Sequence, residues 1–300
     1  MTTLMHKIRQ MENQRIINPP QFVLGGCQYM ALMGSVAYGC NDKDKSDLDL
    51  YGITIPPKAM VFPHLTGEIE GFGTKQTRFG NWQQHHVVYE KEEYDFDIFN
   101  IVKFFHLAMQ NNPNVIDALF VPERCVLFKT EIGDTIRFNR KIFLHKGSFH
   151  KFRGYAFSQL KKAKNKQPEG KRKELVDKYG FDTKFLYHIY RLADEAEQIL
   201  MFGDIDITRS REMMKAVRRG DMSLEEVEKW FFEKERHLEK LYHESNAVPY
   251  QPDEAKIKQL LLNCLEQHYG SLEGCIVQPD KAVQVLRDIR NLLDKNRELF

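Results

Sequence analysis

The chain has 300 residues, of which 42% are hydrophobic and 29% charged, and its formal net charge is +2. This length suffices to bury one large core or, as we expect, two. The small net charge excludes an overall field that would recruit nucleic acid, and no run approaches the roughly 18 apolar residues of a membrane span.

The N-terminal segment, Met1 to Arg15, is polar with a helical pattern and lacks the apolar centre of a signal peptide. The five cysteines are scattered and form no Cys-x-x-Cys pair. This usage favours a reducing compartment and argues against a structural zinc site. We therefore expect a soluble cytoplasmic protein without a membrane partner, and the sequence leaves its oligomeric state open.

The first functional pattern follows a short apolar run. Residues 29–33 predict a buried strand, which Gly34 and Ser35 end in a tight turn. Glycine lets the backbone approach a ligand closely, and such a turn presents free N–H groups to a phosphate. Residues 47–53 alternate polar and apolar, so Asp47 and Asp49 are predicted on one face of a second strand. Two carboxylates this close repel each other unless a cation lies between them, and Mg²⁺ suits such a site.

The organisation of the chain changes near residue 145. Before this point short apolar runs alternate with turns, and after it helical periodicity dominates. We predict an α+β fold, with a small mixed β-sheet domain and its packed helices at 1–145, followed by an α-helical bundle domain at 146–300 that closes a cleft. Helices are predicted at 100–110, 114–120, 148–165, 183–202, 208–219, 223–245, 253–268 and 280–299.

The helix predicted at 183–202 carries a polar stripe. Its members recur at intervals of four, three and four residues, beside an apolar stripe: Lys184, His188, Arg191 and Glu195. Two permanent cations and a histidine on one face suit a triphosphate. The alternative is a solvated face with intrahelical ion pairs.

The order of these parts resembles the signature of the DNA polymerase beta nucleotidyltransferase superfamily. A Gly-Ser turn, an eleven-residue spacer and an Asp-x-Asp strand follow one another at residues 34–49. Further stretches resemble the RlaP-type predicted nucleotidyltransferases: Asp97-Ile98-Phe99, Lys103-Phe104-Phe105, Asn112 through Phe120, Gly154-Tyr155-Ala156 with Gln159-Leu160, and Asp182-x-Lys184-x3-His188-x2-Arg191-Leu192. The resemblance covers about residues 25 to 205.

This resemblance implies transfer of an NMP from an NTP to a hydroxyl acceptor with two Mg²⁺ ions, Mn²⁺ being the alternative metal. Asp47 and Asp49 would bind both ions. A third carboxylate from a later strand would hold the ion that activates the hydroxyl. Asp95 and Asp97 alternate onto one strand face, and we prefer Asp97 because it matches the family's junction into a helix.

The nucleotide contacts also come from the resemblance. Gly34 and Ser35 would hold the β- and γ-phosphates. Lys184, His188 and Arg191 would contact the nucleotide, for which ATP is the expected NTP. Tyr155, in the matching Gly-Tyr-Ala, suits either a core position or one near the cleft.

The acceptor is the part that the sequence determines least. An RNA or tRNA end is our first choice, because the family is associated with RNA ligases and residues 161–173 hold seven basic residues and one acid. The same run is equally typical of a mobile, solvated loop. The alternatives are nucleotidylation of a small molecule or a protein, or a nucleotide-binding module without turnover.

Overall fold

The computed structural model describes residues 3–41, 47–62, 78–165 and 171–271, together with 285, 286, 288–290 and 293. By its contacts the chain divides into two compact units. The larger is Met1–Ile55 with Gly80–Cys264, and the smaller is Pro56–Phe79 with Leu265–Phe300. The domain boundary that we predicted at residue 145 lies inside the larger unit, and it stays a prediction.

In the described part of the chain, five strands form one mixed sheet in the larger unit. They are β1 Cys27–Leu32, β2 Leu48–Thr54, β3 Asn81–Tyr89, β4 Glu92–Asn100 and β5 Val126–Lys129. The strand order is β3-β4-β2-β1-β5. β2 and β4 run parallel, whereas β1 pairs antiparallel with β2 and β5, and β3 pairs antiparallel with β4. The mixed sheet, with helices packed on it, confirms the predicted α+β class.

The described helices agree with most of the predicted positions. They are α1 Thr3–Asn13, α2 Phe22–Gly25, α3 Gly34–Ala37, α4 Lys58–Val61, α5 Ile101–Met109, α6 Pro113–Phe120, α7 Glu131–Phe138, α8 Ser148–Asn165, α9 Lys171–Tyr179, α10 Thr183–Phe202, α11 Arg211–Arg219, α12 Leu224–Glu244 and α13 Glu254–Tyr269. The helix predicted at 208–219 begins three residues later, and the one predicted at 280–299 lies mostly outside the described residues. None of the helices in the described ranges has the length and apolarity needed to cross a bilayer.

Side-chain caps explain where the helices near the sheet begin. The side chain of Asn100 accepts from the backbone N–H of Val102 at the start of α5, and Asn112 caps α6 in the same way. Asp182 caps α10, which ends at Gly203 in the left-handed conformation. Between these caps α10 is buried along most of its length and packs against α8, α11 and α12. This packing fixes the position of α10 and therefore of the polar side chains that it carries.

Candidate active site

A cleft of about 340 Å³ in the larger unit gathers most of the residues that the sequence pointed to. Seven of the eight predicted site residues line it: Gly34, Ser35, Asp47, Asp49, Lys184, His188 and Arg191. Tyr155 lines it too. The eighth predicted residue, Asp97, does not belong to the lining, and Asp95 does. Gly34 and Arg191, which are 157 positions apart in the chain, thus meet at one place.

The two carboxylates of the Asp-x-Asp pair lie at the start of β2. Asp47 precedes the strand, and Asp49 is its second residue. Burial raises the pKa of Asp49 to about 6, and the charges of Asp95 and Asp47 add to that effect. A carboxylate whose ionisation is opposed by two neighbouring carboxylates is a site of concentrated negative potential, which favours a cation.

The register between β2 and β4 decides which later carboxylate reaches the cleft. Because the two strands are parallel, Asp49 pairs with Asp95, and Tyr51 pairs with Asp97. Paired residues on neighbouring strands share a face, so Asp95 lies beside Asp49. Asp97 lies two residues further along β4, which places it about 6.6 Å from Asp95 along the strand.

Asp97 is a buried carboxylate with amide partners. It is 7% exposed, and it accepts hydrogen bonds from Asn81 Nδ2 at 3.1 Å and Gln83 Nε2 at 3.0 Å. Burial raises its pKa, and the two amide donors oppose that shift. These bonds fix Asp97 within the sheet, between β3 and β4.

Asp95 is held by an irregularity in β3. The β3–β4 register shifts between Gln84 and Val87, and His86 adopts a positive φ of 57° there. This bulge directs the backbone N–H of His86 at Asp95 Oδ1, at 2.7 Å. Bulges commonly re-aim a side chain beside a functional site.

The turn after β1 requires glycine for two separate reasons. Gly34 has a φ of +62°, a region that residues with a Cβ rarely adopt. A Cβ added there would also lie 1.9 Å from Asp49 Oδ2. The backbone at Gly34 therefore approaches the Asp49 carboxylate more closely than a residue with a Cβ at this position would allow.

Two cations, Lys184 and Arg218, line the same cleft as the carboxylates. Lys184 projects from the first turn of α10, and its charge lowers the pKa of Asp49 against the larger effect of burial. Arg218 projects from α11 and donates to the backbone oxygen of Cys40 at 2.8 Å. Neither cation forms an ion pair within 4 Å with a carboxylate among the described residues. Unpaired cations in a cleft favour an anionic ligand.

Arg191 differs from these two cations. It touches the cleft, but it is 2% exposed and forms an ion pair with Asp117 on α6. Its guanidinium also donates to the Tyr38 hydroxyl and, at 3.3 Å, to Asn114 Oδ1. The polar stripe on α10 is therefore divided between a cation that faces the cleft and one that faces the protein.

The chain is similar to a known protein family and to a solved structure. The model of the RlaP family, an RNA repair pathway DNA polymerase beta family, matches residues 3–263. The chain belongs to this family. No curated protein is similar enough to match the chain. Among solved structures, a nucleotidyltransferase-like protein from Exiguobacterium sibiricum is similar with a TM-score of 0.30 and 11% identity, over 80% of this chain and 74% of that chain.

Membership of the RlaP family confirms the predicted resemblance and supports a nucleotidyltransferase of the polymerase beta type, with a nucleotide substrate. The carboxylates fit the divalent metals that polymerase beta-type enzymes use, because oxygen ligands of high negative charge suit Mg²⁺. Among the described residues, no three His, Cys, Asp or Glu side chains already converge on one point as a ligand set.

Several cleft residues of this RlaP-family chain were not predicted as site residues. Arg218, Asn114, Tyr38 and His86 all line the cleft. Asn114 lies in a stretch that matches the family, which is a signal that sequence reading can use. The other three have no local pattern of this kind, because their places depend on how α11, α3 and the β3 bulge pack.

Proposed function

We propose that this protein is a Mg²⁺-dependent nucleotidyltransferase that transfers an NMP from an NTP to a hydroxyl acceptor and releases pyrophosphate. The observation that carries the proposal is the division of charge in the cleft. Asp47, Asp49 and Asp95 supply one negative wall, and Lys184 and Arg218 supply unpaired positive charge near them. A metal-bound triphosphate needs both kinds of charge at close range.

The carboxylates have separate roles in this proposal. Asp47 and Asp49 would hold both metal ions, and Asp95 would be the third carboxylate. When bound, the two ions would stabilise charge on the attacking and the leaving oxygen. The acceptor oxygen forms a bond to the α-phosphorus, the bond to the bridging oxygen of the β-phosphate breaks, and pyrophosphate leaves. The hydroxyl proton departs towards Asp95, whose contacts with His86 and His85 both use Oδ1.

The choice of Asp95 over Asp97 follows from register and burial. Asp95 is the strand partner of Asp49 and lines the cleft. Asp97, which the family pattern favoured, does not line the cleft and already accepts hydrogen bonds from two amides. Asp97 remains the alternative third carboxylate, and substitution of each residue separates the two assignments.

The phosphate side of the cleft would bind the β- and γ-phosphates. Gly34 brings the turn backbone close to Asp49, and Ser35 places a hydroxyl beside it. Lys184 and Arg218 would neutralise the phosphate charge, Lys184 as a point charge and Arg218 as a planar donor. His188, one turn after Lys184 on α10, is a further proposed contact with the nucleotide.

An RNA end is the acceptor that the surroundings favour. Tyr155 on α8 lines the cleft, and Lys162 lies seven residues later on the same helix face, about 10.5 Å along the axis. Lys162 and its neighbour Lys161 are exposed. A polyanion leaving the cleft along α8 would meet these cations. The family's description as an RNA repair pathway family supports the same acceptor.

Two alternatives use the same site differently. The acceptor hydroxyl can belong to a small molecule or a protein, which would leave the carboxylates in the same roles. A nucleotide-binding module without turnover is a second alternative. Two carboxylates whose charges raise the pKa of a third have no value for such a module, since all three oppose an anionic ligand unless metal ions accompany it.

The test offers the purified protein Mg²⁺ and each of the four NTPs labelled at the α-phosphate, ATP first. Total RNA, protein and small-molecule fractions serve as separate acceptors. The control is Asp47→Asn/Asp49→Asn, which keeps the size of both side chains and removes their charge. We expect label in one fraction with wild type alone. NTP binding without label in any fraction would support the binding module.

A further inference from the structure

Arg191 was predicted as a nucleotide contact, but its guanidinium already forms an ion pair and hydrogen bonds with protein groups. It pairs with Asp117, donates to the hydroxyl of Tyr38 and donates to Asn114 Oδ1 at 3.3 Å. The ring of Tyr38 also lies under the guanidinium, with 4.8 Å between the Arg191 Cζ atom and the ring centroid. A triphosphate would have to break this buried arrangement in order to use Arg191.

The protein itself supplies the carboxyl partners of Arg191. Asp117 and Glu195 are both buried beside it, and Glu195 Oε2 lies 4.0 Å from Arg191 Nε. Burial raises the pKa of both carboxyl groups, and for Glu195 the charge of Asp117 adds to that effect, whereas the charge of Arg191 lowers both. Arg191 and Asp117 form a buried ion pair. Breaking such a buried pair leaves an uncompensated charge, which is costly.

The ion pair of Arg191 and Asp117 is linked to the Gly-Ser turn through Tyr38. Tyr38 directly follows α3, and its hydroxyl donates to Asp117 Oδ2 at 2.8 Å. Both hydrogen-bonding roles of this hydroxyl are therefore filled by protein groups. Tyr38 is 2% exposed, and its backbone N–H closes α3 on the Gly34 oxygen at 3.1 Å.

Two other arginines contact the segment that follows the turn through its backbone oxygens. Arg124 Nη2 lies 3.4 Å from the backbone oxygens of Val36 and Ala37. Arg218 Nη1 donates to the oxygen of Cys40 at 2.8 Å. The four-residue helix α3 is too short to be stable alone, so its position depends on these contacts.

We propose that Arg191 is a positioning residue: with Asp117 it fixes the Tyr38 hydroxyl, and through Tyr38 it holds the Gly34–Ser35 turn in place for the β- and γ-phosphates. This inference rests on the proposed nucleotidyl transfer and assigns direct phosphate contact to Lys184 and Arg218. It also makes Tyr38 a determinant of triphosphate affinity although the phosphates never touch its hydroxyl.

Tyr38→Phe tests the proposal because the two roles of Arg191 predict opposite signs. The variant keeps the ring and removes the hydroxyl. If Arg191 positions the turn, affinity for Mg²⁺–ATP falls about three- to tenfold, the range expected for one hydrogen bond. Affinity for AMP, which lacks the β- and γ-phosphates, stays within twofold. If Arg191 is itself a phosphate ligand, the lost partner frees its guanidinium, and affinity for ATP stays equal or rises.

Tyr29→Phe is the matched control. The Tyr29 hydroxyl is also buried, donates to the oxygen of Ala118 at 2.7 Å and accepts from Arg137 at 3.0 Å, but it does not line the cleft. We expect lower thermal stability with an unchanged ratio of ATP to AMP affinity. If the ratio of ATP to AMP affinity changes as much in Tyr29→Phe as in Tyr38→Phe, the assignment of Arg191 as a positioning residue is overturned.

Asp117→Asn provides the same test if Tyr38→Phe does not fold. Its amide oxygen still accepts a hydrogen bond, but the ion pair with Arg191 is lost. Weaker ATP binding supports positioning, and equal or tighter binding overturns it. If wild type binds ATP with Mg²⁺ and Tyr38→Phe binds ATP equally well, the positioning role of Arg191 is refuted but the proposed function is not. Wild type that binds none of the four NTPs would refute the proposed function as well.

Discussion

Substitution of Gly34 by alanine is the sharpest perturbation that the structure offers. On the present backbone the new Cβ would lie 1.9 Å from Asp49 Oδ2, whereas Cβ contacts below 3.0 Å essentially do not occur. The two atoms must therefore separate by at least 3.0 − 1.9 = 1.1 Å. The oxygen ends a side chain, so the Asp49 carboxylate can rotate away and the protein can still fold. A misplacement of about 1 Å costs about 10²-fold in rate.

The backbone adds a second, separate cost. Gly34 has a φ of +62°, and a residue with a Cβ in that region costs about 1–2 kcal/mol of stability. Gly180 matches this feature alone, because its φ is +81° and an added Cβ would meet nothing within 4 Å. Gly180→Ala therefore carries the backbone strain without the contact at Asp49.

The assay compares both variants with wild type in thermal unfolding, transfer of α-labelled NMP, and Mn²⁺ affinity measured by electron paramagnetic resonance. We expect both variants to lose similar stability. Gly34→Ala alone should lose about 10²-fold in turnover and bind Mn²⁺ more weakly. Turnover of Gly34→Ala within threefold of that of Gly180→Ala would refute the placement of Asp49 against the turn.

Three further predictions concern the carboxylates and the cations. Asp95→Asn should lower turnover about 10²–10³-fold with folding intact. Asp97→Asn should mainly lower stability, by about 1–3 kcal/mol, because its single side-chain oxygen replaces one of the two oxygens that accept from Asn81 and Gln83 and leaves one buried donor unpaired. Turnover and thermal unfolding of both variants decide between the two assignments. Without divalent cations, the Asp49 carboxyl keeps its proton to a higher pH in the folded than in the unfolded chain, because folding raises its pKa from 3.8 to about 6. The contribution of Asp49 to stability therefore falls as the pH rises from about 4 to 6. Asp49→Asn should remove this loss. In unfolding curves with EDTA, the variant should be more stable than wild type at pH 7.5, by on the order of 1–3 kcal/mol, and no more stable near pH 4. Lys184→Ala and Arg218→Ala should each raise KM for the NTP about tenfold, and added salt should shrink the difference in a titration of NTP at several ionic strengths.

Local sequence patterns were sufficient to predict the strand and the turn that carry the central residues of the candidate site. The alternation around Asp47 and Asp49 and the turn at Gly34 depend on neighbours along the chain, which the sequence displays directly. The helix at 183–202 was equally readable, because its period, its Asp182 cap and its terminal Gly203 agree. Local rules of this kind predict elements and the face on which a residue lies.

Which of the two carboxylates on β4 lines the cleft is a tertiary property, which the sequence does not display. Asp95 and Asp97 share a face of β4, so alternation cannot separate them. The parallel register with β2 does, because it sets Asp95 beside Asp49. No pattern within residues 92–98 contains that register.

The stripe on α10 shows the same limit. Helical spacing placed Lys184 and Arg191 on one side of the helix, but what packs against each of them comes from elsewhere in the chain. The partners of Arg191, Tyr38 and Asp117, lie 153 and 74 residues away in sequence. Arg218 reaches the cleft from α11, a region in which no motif was recognised.

The central claim is that the α-phosphate is the group transferred. The most direct measurement is a single-turnover reaction with ATP labelled in parallel at the α- or the γ-phosphate, with Mg²⁺ and the acceptor fraction that accepts label, and with Asp49→Asn as the control. We predict that the α-label appears on the acceptor, that the γ-label appears in pyrophosphate, and that Asp49→Asn yields neither. Transfer of the γ-label to the acceptor, or equal α-label transfer by Asp49→Asn, would contradict nucleotidyl transfer at this site.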